Sequence, residues 1–160
     1  MNDSASTGEP ALDLERFLPY RLSLLAHLVG KGISEAYRTK HGLSTAQWRV
    51  LAAVAEHPGI TAQRVVAMTP MDKVMVSRAV AALSDQGLVE RRASTADGRK
   101  SLLGLTGSGR RIYRAIAPRA RAYAEALQEE LSEAERAQLE VLTGRLIDAA
   151  RRLEEPKAEA

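Results

Sequence analysis

The chain has 160 residues, 45% of them apolar and only 4% aromatic, which favours one mostly helical domain, or one domain with an arm. Its formal net charge is +3, which mildly favours nucleic acid as a partner, and its lack of cysteine excludes disulfides, thiol redox sensing and cysteine-ligated metal sites. No apolar run could span a bilayer and the polar start is unlike a signal peptide, so we expect a cytoplasmic protein without a membrane partner.

The first predicted element is a long helix that follows a loose tail over residues 1–11. Pro19 near its start predicts a kink or a late beginning, and Gly42 ends it. Between Leu12 and about Lys40, apolar residues recur at the spacing of one helical face. These are Leu14, Phe17, Leu18, Leu22, Leu25, Leu28, Val29, Ile33, Ala36 and Tyr37.

A second helix is predicted to begin at the capping box Ser44-Thr-Ala-Gln47, in which side chains at both ends satisfy free backbone N–H groups. Trp48, Leu51 and Val54 form its expected inner face. The segment His57-Pro58-Gly59 stops this helix, and Ile60 can add one short strand.

A helix-turn-helix follows. Thr61 can cap a third helix that runs to Met68, and Thr69-Pro70-Met71 supplies a turn of about three residues. Asp72 is then the N-cap of a fourth helix, which ends before Gly87. A helix, a tight turn and a second helix are the arrangement in which the second helix enters the DNA major groove.

Two strands and two long helices complete the predicted fold. Residues 88–93 and 101–105 are strand candidates on either side of the turn Ala96-Asp97-Gly98. Thr106 can cap a fifth helix that reaches about Leu131 and bends at Pro118. The capping box Ser132-Glu-Ala-Glu135 opens a last helix, whose apolar stripe is Leu139, Leu142, Leu146, Ala150 and Leu153.

The predicted domain organisation has a winged helix-turn-helix DNA-binding domain at residues 44–109, with a small β-hairpin as its wing. Dimerisation helices occupy residues 12–43 and 110–154, and residues 155–160 form a frayed tail. The terminal helices carry more apolar surface than the central domain can cover, so we expect a homodimer. A dimer places two recognition helices about 34 Å apart and therefore requires a pseudo-palindromic operator in double-stranded DNA.

Positive charge is concentrated around the predicted helix-turn-helix and wing. From residue 64 to residue 114 there are ten basic and four acidic residues, a local charge of +6. This is the electrostatic footprint of a DNA-binding face. The basic residues are Arg64, Lys73, Arg78, Arg91, Arg92, Arg99, Lys100, Arg110, Arg111 and Arg114.

The first two turns of the fourth helix carry the candidate base-reading residues, which are Lys73, Val74, Met75, Ser77 and Arg78. The two cations can bind phosphate or guanine, the serine can donate to either, and the two apolar side chains can touch thymine methyls. We expect Val76, Val80 and Leu83 to face inward. Taken alone, the same pattern also fits an ordinary amphipathic helix with a charged outer face.

The predicted hairpin carries a more specific motif: Asp97-x-Arg99, then Leu102, Leu105-Thr106 and Gly109. It resembles the wing signature of the MarR family of bacterial transcription regulators, and the resemblance extends over about residues 14–153. The family resemblance implies a winged-helix dimer that binds palindromic DNA, usually as a repressor.

The resemblance also implies roles for the wing residues. Arg99 matches the arginine that enters the minor groove, and Asp97 matches the aspartate that orients the wing; Lys100 completes our DNA-binding set. Gly98 replaces a second arginine often found there, which implies a looser tip and one weaker phosphate contact. Asp97 and Arg99 could equally form an ion pair that stabilises the hairpin, and the two roles are compatible.

Members of this family commonly sense small anionic aromatic molecules between the dimerisation helices and the DNA-binding domain. An arginine beside an aromatic ring is the minimum needed to hold a flat carboxylate. Segments around Tyr20, Trp48 and Met71 look like the branch that controls aromatic-acid catabolism, which implies a small aromatic carboxylate or its CoA thioester as effector. Candidate ligand-binding residues are Tyr20, Arg21, Tyr37, His41, Trp48, Arg49 and Tyr113.

Four of the seven ligand candidates also have a plainer interpretation. Tyr37 and Trp48 could be ordinary core residues, and Arg21 and Arg49 could be solvated or paired with acids across a dimer. The sequence alone leaves both interpretations open.

Other classes of function are poorly supported. The three histidines are too widely spaced for a helical metal pair, and the glycines from Gly104 to Gly109 lack the order of a nucleotide-binding loop. With no local catalytic motif, we expect no enzyme, no metal and no cofactor. The serious alternative is a winged-helix protein-interaction module without specific DNA readout, whose basic face docks an acidic partner.

Overall fold

The computed structural model describes residues 12–93 and 101–154. It confirms a mainly helical chain with a small antiparallel sheet. The expectations for residues 1–11, for the turn at 96–98 and for residues 155–160 lie outside the described residues. The elements are α1 (Leu18–His41), α2 (Thr45–Glu56), β1 (Ile60–Thr61), α3 (Ala62–Met68), α4 (Lys73–Asp85), β2 (Val89–Ala93), β3 (Ser101–Leu105), α5 (Gly107–Gln128) and α6 (Glu133–Glu154).

The chain divides into two compact units, one ending at Arg119 and the other beginning at Ala120. In the first, α1 begins late because Pro19 occupies its first turn, where the missing N–H costs nothing. The helix ends at Gly42, whose φ of 62° is left-handed, and Gly42 donates its N–H to the Arg38 carbonyl. Both expectations for this helix are confirmed.

Side-chain caps begin the next three helices where the sequence placed them. Ser44 and Gln47 form a reciprocal capping box at α2. Thr61 Oγ1 accepts the Arg64 N–H at α3, and Asp72 Oδ1 accepts the Met75 N–H at 2.7 Å at α4. These caps fix where α3 ends and α4 begins, and so they fix the helix-turn-helix geometry.

The wing strands belong to a three-stranded antiparallel sheet with the order β1-β3-β2. Ile60 pairs with Leu103, and Val89 pairs with Leu105. Alternation along the strands buries Val89, Leu103 and Leu105. The opposite, outer face carries Glu90, Arg92, Leu102 and Gly104.

One apolar core holds the helix-turn-helix against the sheet. Val76, Val80 and Leu83 of α4 are at most 1% exposed, which confirms their inward orientation. They belong to one cluster with α2 and α3 residues such as Leu51 and Val65. Because its inner face is fully buried, α4 is held firmly with its other face outward.

In the second unit, α6 begins at the predicted capping box: Ser132 donates its backbone N–H to Glu135 Oε2 at 2.8 Å. The fifth helix ends at Gln128, three residues before the expected end at Leu131. Arg136 Nε donates to the carbonyls of both residues at 3.0 Å, so a capped turn replaces the last helical turn. No helix in the described parts of the chain is long and apolar enough to cross a membrane.

Candidate nucleic-acid interface

The first two turns of α4 expose every candidate base-reading residue. Lys73, Ser77 and Arg78 are exposed, and the side chains of Val74 and Met75 keep 56% and 44% of their accessible surface. Val76, in the middle of this set, is buried. The helix therefore presents a continuous polar edge with two apolar side chains in it, a composition suited to phosphates, base edges and thymine methyls.

A cleft of about 490 Å³ lies beside this edge, between α3, α4 and β2. Lys73 and Ser77 line it together with Gln63 and Arg91. Arg91 was not among the predicted site residues, although strand alternation places it on the same face as Val89, two residues earlier. The structure therefore adds Arg91 to the exposed edge of α4 formed by Lys73, Val74, Met75, Ser77 and Arg78, which we call the recognition edge. The alternation of side chains along β2 indicates the face on which Arg91 lies.

The predicted wing contacts Asp97, Arg99 and Lys100 lie outside the described residues. The strands leading to them are regular, and the last described pair is Ala93 with Ser101.

Three of the predicted ligand residues meet in one aromatic stack. The ring centroids of Tyr37 and Trp48 are 5.9 Å apart, as are those of Trp48 and Tyr113, with interplanar angles of 16° and 20°. Tyr37 is 1% exposed, and its hydroxyl lies 3.0 Å from Thr45 Oγ1. The stack joins α1, α2 and α5, and its Tyr37 end belongs to the core.

Two of the other ligand candidates lie far from this stack within one chain. Tyr20 and Arg21 are exposed near the start of α1, roughly 25 Å along the helix axis from Tyr37. His41 is half-buried in the last turn of α1, and Arg49 is exposed on α2.

Tyr113, at the other end of the stack, lines an open cavity of about 620 Å³ against the outer face of the sheet. The cavity is lined by Arg92 from β2 and by Arg110 and Arg114 from α5, none of which was predicted as a ligand residue. Sequence spacing contains one signal, since Arg110 lies three residues before Tyr113 and four before Arg114, and residues at these spacings are neighbours on a helix surface. The role of Arg92 depends on the tertiary approach of β2 to α5.

Two of these arginines have defined partners. Arg92 Nη2 lies 2.6 Å from Glu90 Oε1 on the same strand, and Arg110 Nη1 donates to the Leu105 carbonyl at 2.7 Å. Within residues 12–93 and 101–154, Glu90 is the only acidic residue that lines the cavity. The described walls therefore carry three positive charges and one negative charge, which favours an anion.

Comparison with known proteins identifies relatives over most of the chain. A model of the MarR family matches residues 41–100. A MarR/EmrR family transcriptional regulator from Acinetobacter sp. ADP1 is 26% identical with a TM-score of 0.81, and the match covers 88% of this chain and 99% of that one. The PcaV transcriptional regulator from Streptomyces coelicolor, solved in complex with its natural ligand, is 26% identical with a TM-score of 0.74, covering 89% and 99%.

A third solved structure, a MarR family transcriptional regulator from Silicibacter pomeroyi, is 27% identical with a TM-score of 0.73, and the match covers 89% of this chain and 95% of that one. No curated protein matches the sequence.

Proposed function

We propose that the chain is a DNA-binding transcription regulator of the MarR family, as its family match and its similarity to solved regulators support, and that it acts as a homodimeric repressor released from a pseudo-palindromic operator by a small aromatic acid. The observation that carries the proposal is the recognition edge of α4, where a buried inner face fixes five exposed residues suited to DNA. The solved proteins that the chain resembles are transcription regulators, and this similarity gives no support to an enzymatic role.

In this proposal, Lys73, Ser77 and Arg78 contact phosphates and base edges while Val74 and Met75 contact thymine methyls. Asp97, Arg99 and Lys100 supply the wing contacts in the minor groove, with Asp97 orienting Arg99. The DNA-binding domain comprises residues 44–109.

Dimerisation through residues 12–43 and 110–154 follows from their exposed apolar side chains. Leu22, Leu25 and Leu28 of α1 are 41–55% exposed, and Leu139, Leu142 and Leu146 of α6 are 40–45% exposed. Large apolar surfaces on a soluble chain mark interaction sites, and a second copy offers the same surfaces in return.

The proposed effector is a small aromatic carboxylate or its CoA thioester. The PcaV complex with its natural ligand supports a ligand-responsive protein, and the basic cavity beside Tyr113 supports an anion with a flat apolar part. The effector would favour a spacing of the two recognition helices that does not match DNA, which is a population shift driven by differential affinity. Its target genes would then be those of aromatic-compound catabolism.

Footprinting on the promoter upstream of its own gene tests the operator. We expect protection of two half-sites about one helical turn apart. Lys73→Ala and Arg99→Ala should weaken protection while leaving the fold intact. Arg152→Ala, which removes one positive charge from α6, is the matched control and should leave protection unchanged. If Arg99→Ala binds the operator as tightly as wild type does, the assignment of Arg99 to a wing contact with DNA is wrong.

The effector site is tested by calorimetry with aromatic acids, using Arg21→Ala and Arg49→Ala. Unchanged affinity in both variants would remove these residues from the pocket. A protein that protects no promoter DNA but binds an acidic protein through α4 would instead support the protein-interaction module.

A further inference from the structure

The outer face of the sheet already holds a carboxylate where an anionic ligand would bind. Glu90 and Arg92 are two residues apart on β2, so both side chains project from the same face. Their charged atoms lie 2.6 Å apart, inside the cavity that Arg110, Arg114 and Tyr113 complete from α5. The Glu90 carboxylate is thus already paired with Arg92, one of the three arginines that line the cavity and could bind an anionic ligand.

We propose that Glu90 is a built-in competitor for the effector: an aromatic carboxylate enters this cavity and takes the place of the Glu90 carboxylate on Arg92. The inference deepens the proposed function and rests on its claim that the protein responds to an aromatic acid. It assigns the site to the face between β2 and α5 and names a residue that lowers its affinity for the ligand.

The exposure of the ion pair makes exchange feasible. The Arg92 and Glu90 side chains are 73% and 40% exposed, and exposed pairs of this kind contribute little to stability. Replacing Glu90 by a ligand carboxylate therefore costs little. A bidentate bond to the guanidinium, with Arg114 nearby and the Tyr113 ring beside it, gives the ligand contacts that the short Glu90 side chain does not make.

Gly104 forms a part of the cavity wall that carries no side chain. This residue stands opposite Glu90 on β3, and a methyl group there would lie 3.6 Å from Glu90 Oε1. The cavity volume of about 620 Å³ lies within the range of small-molecule sites.

The same strand also reaches the recognition edge. Arg91, between Glu90 and Arg92, lines the cleft with Lys73 and Ser77 on the other face of the sheet. Any shift of β2 on opening of the Glu90–Arg92 pair would therefore act directly beside the first turn of α4. This gives the ligand a short physical route to the DNA-binding surface.

The test measures affinity for 4-hydroxybenzoate, with neutral 4-hydroxybenzamide as the matched control ligand. Calorimetry gives the affinity, and fluorescence of Trp48, the only tryptophan and a stacking partner of Tyr113, reports occupancy nearby. Glu90→Gln should bind 4-hydroxybenzoate about two- to fivefold more tightly than wild type. Asp85→Asn, an equal charge change elsewhere, should not, and Arg114→Gln should weaken binding about tenfold or more.

Equal affinity of wild type and Glu90→Gln for 4-hydroxybenzoate overturns the competitor role. The proposal is also overturned if 4-hydroxybenzamide binds as tightly as 4-hydroxybenzoate. It is overturned as well if neither ligand binds to wild type or to Glu90→Gln. Operator binding, measured without any ligand, is independent of these outcomes, so failure here is distinguishable from failure of the DNA-binding proposal.

Discussion

Gly109 lies so close to Leu88 that a Cβ at position 109 would be 2.0 Å from the Leu88 carbonyl oxygen. Thr106 fixes this approach: its Oγ1 donates to the Gly87 carbonyl at 2.6 Å and accepts the Gly109 N–H at 3.0 Å. The Leu-Thr-x-x-Gly motif is therefore a packing device. It holds the first turn of α5 against the joint between α4 and β2, and so holds the basic residues of α5 beside the sheet.

Gly109→Ala should destabilise the protein strongly, because the atom in the way is backbone and cannot rotate aside. We expect a loss of about 3 kcal/mol in the free energy of unfolding, measured by urea denaturation. Gly107→Ala is the matched control, since a methyl group there meets only the end of the Arg111 side chain at 3.8 Å. Equal urea midpoints of unfolding for Gly109→Ala and Gly107→Ala would contradict the close approach of Gly109 to the Leu88 carbonyl.

Asp72 should play two opposed roles, capping α4 and repelling DNA. Asp72→Asn keeps a side-chain oxygen for the Met75 N–H but removes a negative charge beside Lys73. We expect near wild-type stability and tighter operator binding, with the larger gain at low salt. Asp72→Ala should lose about 1 kcal/mol in unfolding because the cap is gone. Unchanged operator binding by Asp72→Asn at low salt would place Asp72 away from the phosphates.

Leu142→Asp should convert the proposed homodimer into monomer, because it places a charge in the apolar stripe of α6. Light scattering after size exclusion measures the mass directly. Gly144→Asp is the control, since position 144 lies on the opposite side of the helix and has open space around it. A dimer that survives Leu142→Asp unchanged would move the interface off this stripe.

Glu135 should titrate at lower pH than an ordinary glutamate. The Ser132 side chain, followed by its backbone N–H, donates to the carboxylate and lowers the pKa of Glu135 below 4.5. The contribution of this cap to stability is therefore present above pH 4.5 and is lost as pH falls through the lower folded-state pKa. An NMR titration should show Ser132→Ala raising the pKa and Ser132→Thr preserving it; no change in Ser132→Ala would contradict the capping hydrogen bonds.

The sequence predicted helix starts better than it predicted the site, because caps are local. Ser44, Thr61, Asp72 and Ser132 each bond a backbone N–H three residues ahead, so the pattern and the contact lie in one short segment. The end of α5 was misplaced because Arg136, on the next helix, caps it. That contact has no pattern within α5 itself.

The candidate ligand site was predicted only in part for the same reason. Trp48 and Tyr113 attract notice as single residues, yet their stacking depends on how α2 meets α5. Arg92 faces α5 only because β2 pairs with β3 in one particular register. Contacts between distant segments require the assembled fold, whereas the alternation that places Arg91 on the same face as Val89 was present in the sequence.

The central claim is sequence-specific DNA binding, and affinity for the upstream promoter across a salt series tests it most directly. The account predicts tight binding to the promoter, at least about a thousandfold weaker binding to scrambled DNA of equal length, and a steep loss of affinity as salt rises. Equal, weak binding to both DNAs at every salt concentration, with protected half-sites nowhere in the flanking sequence, would contradict it.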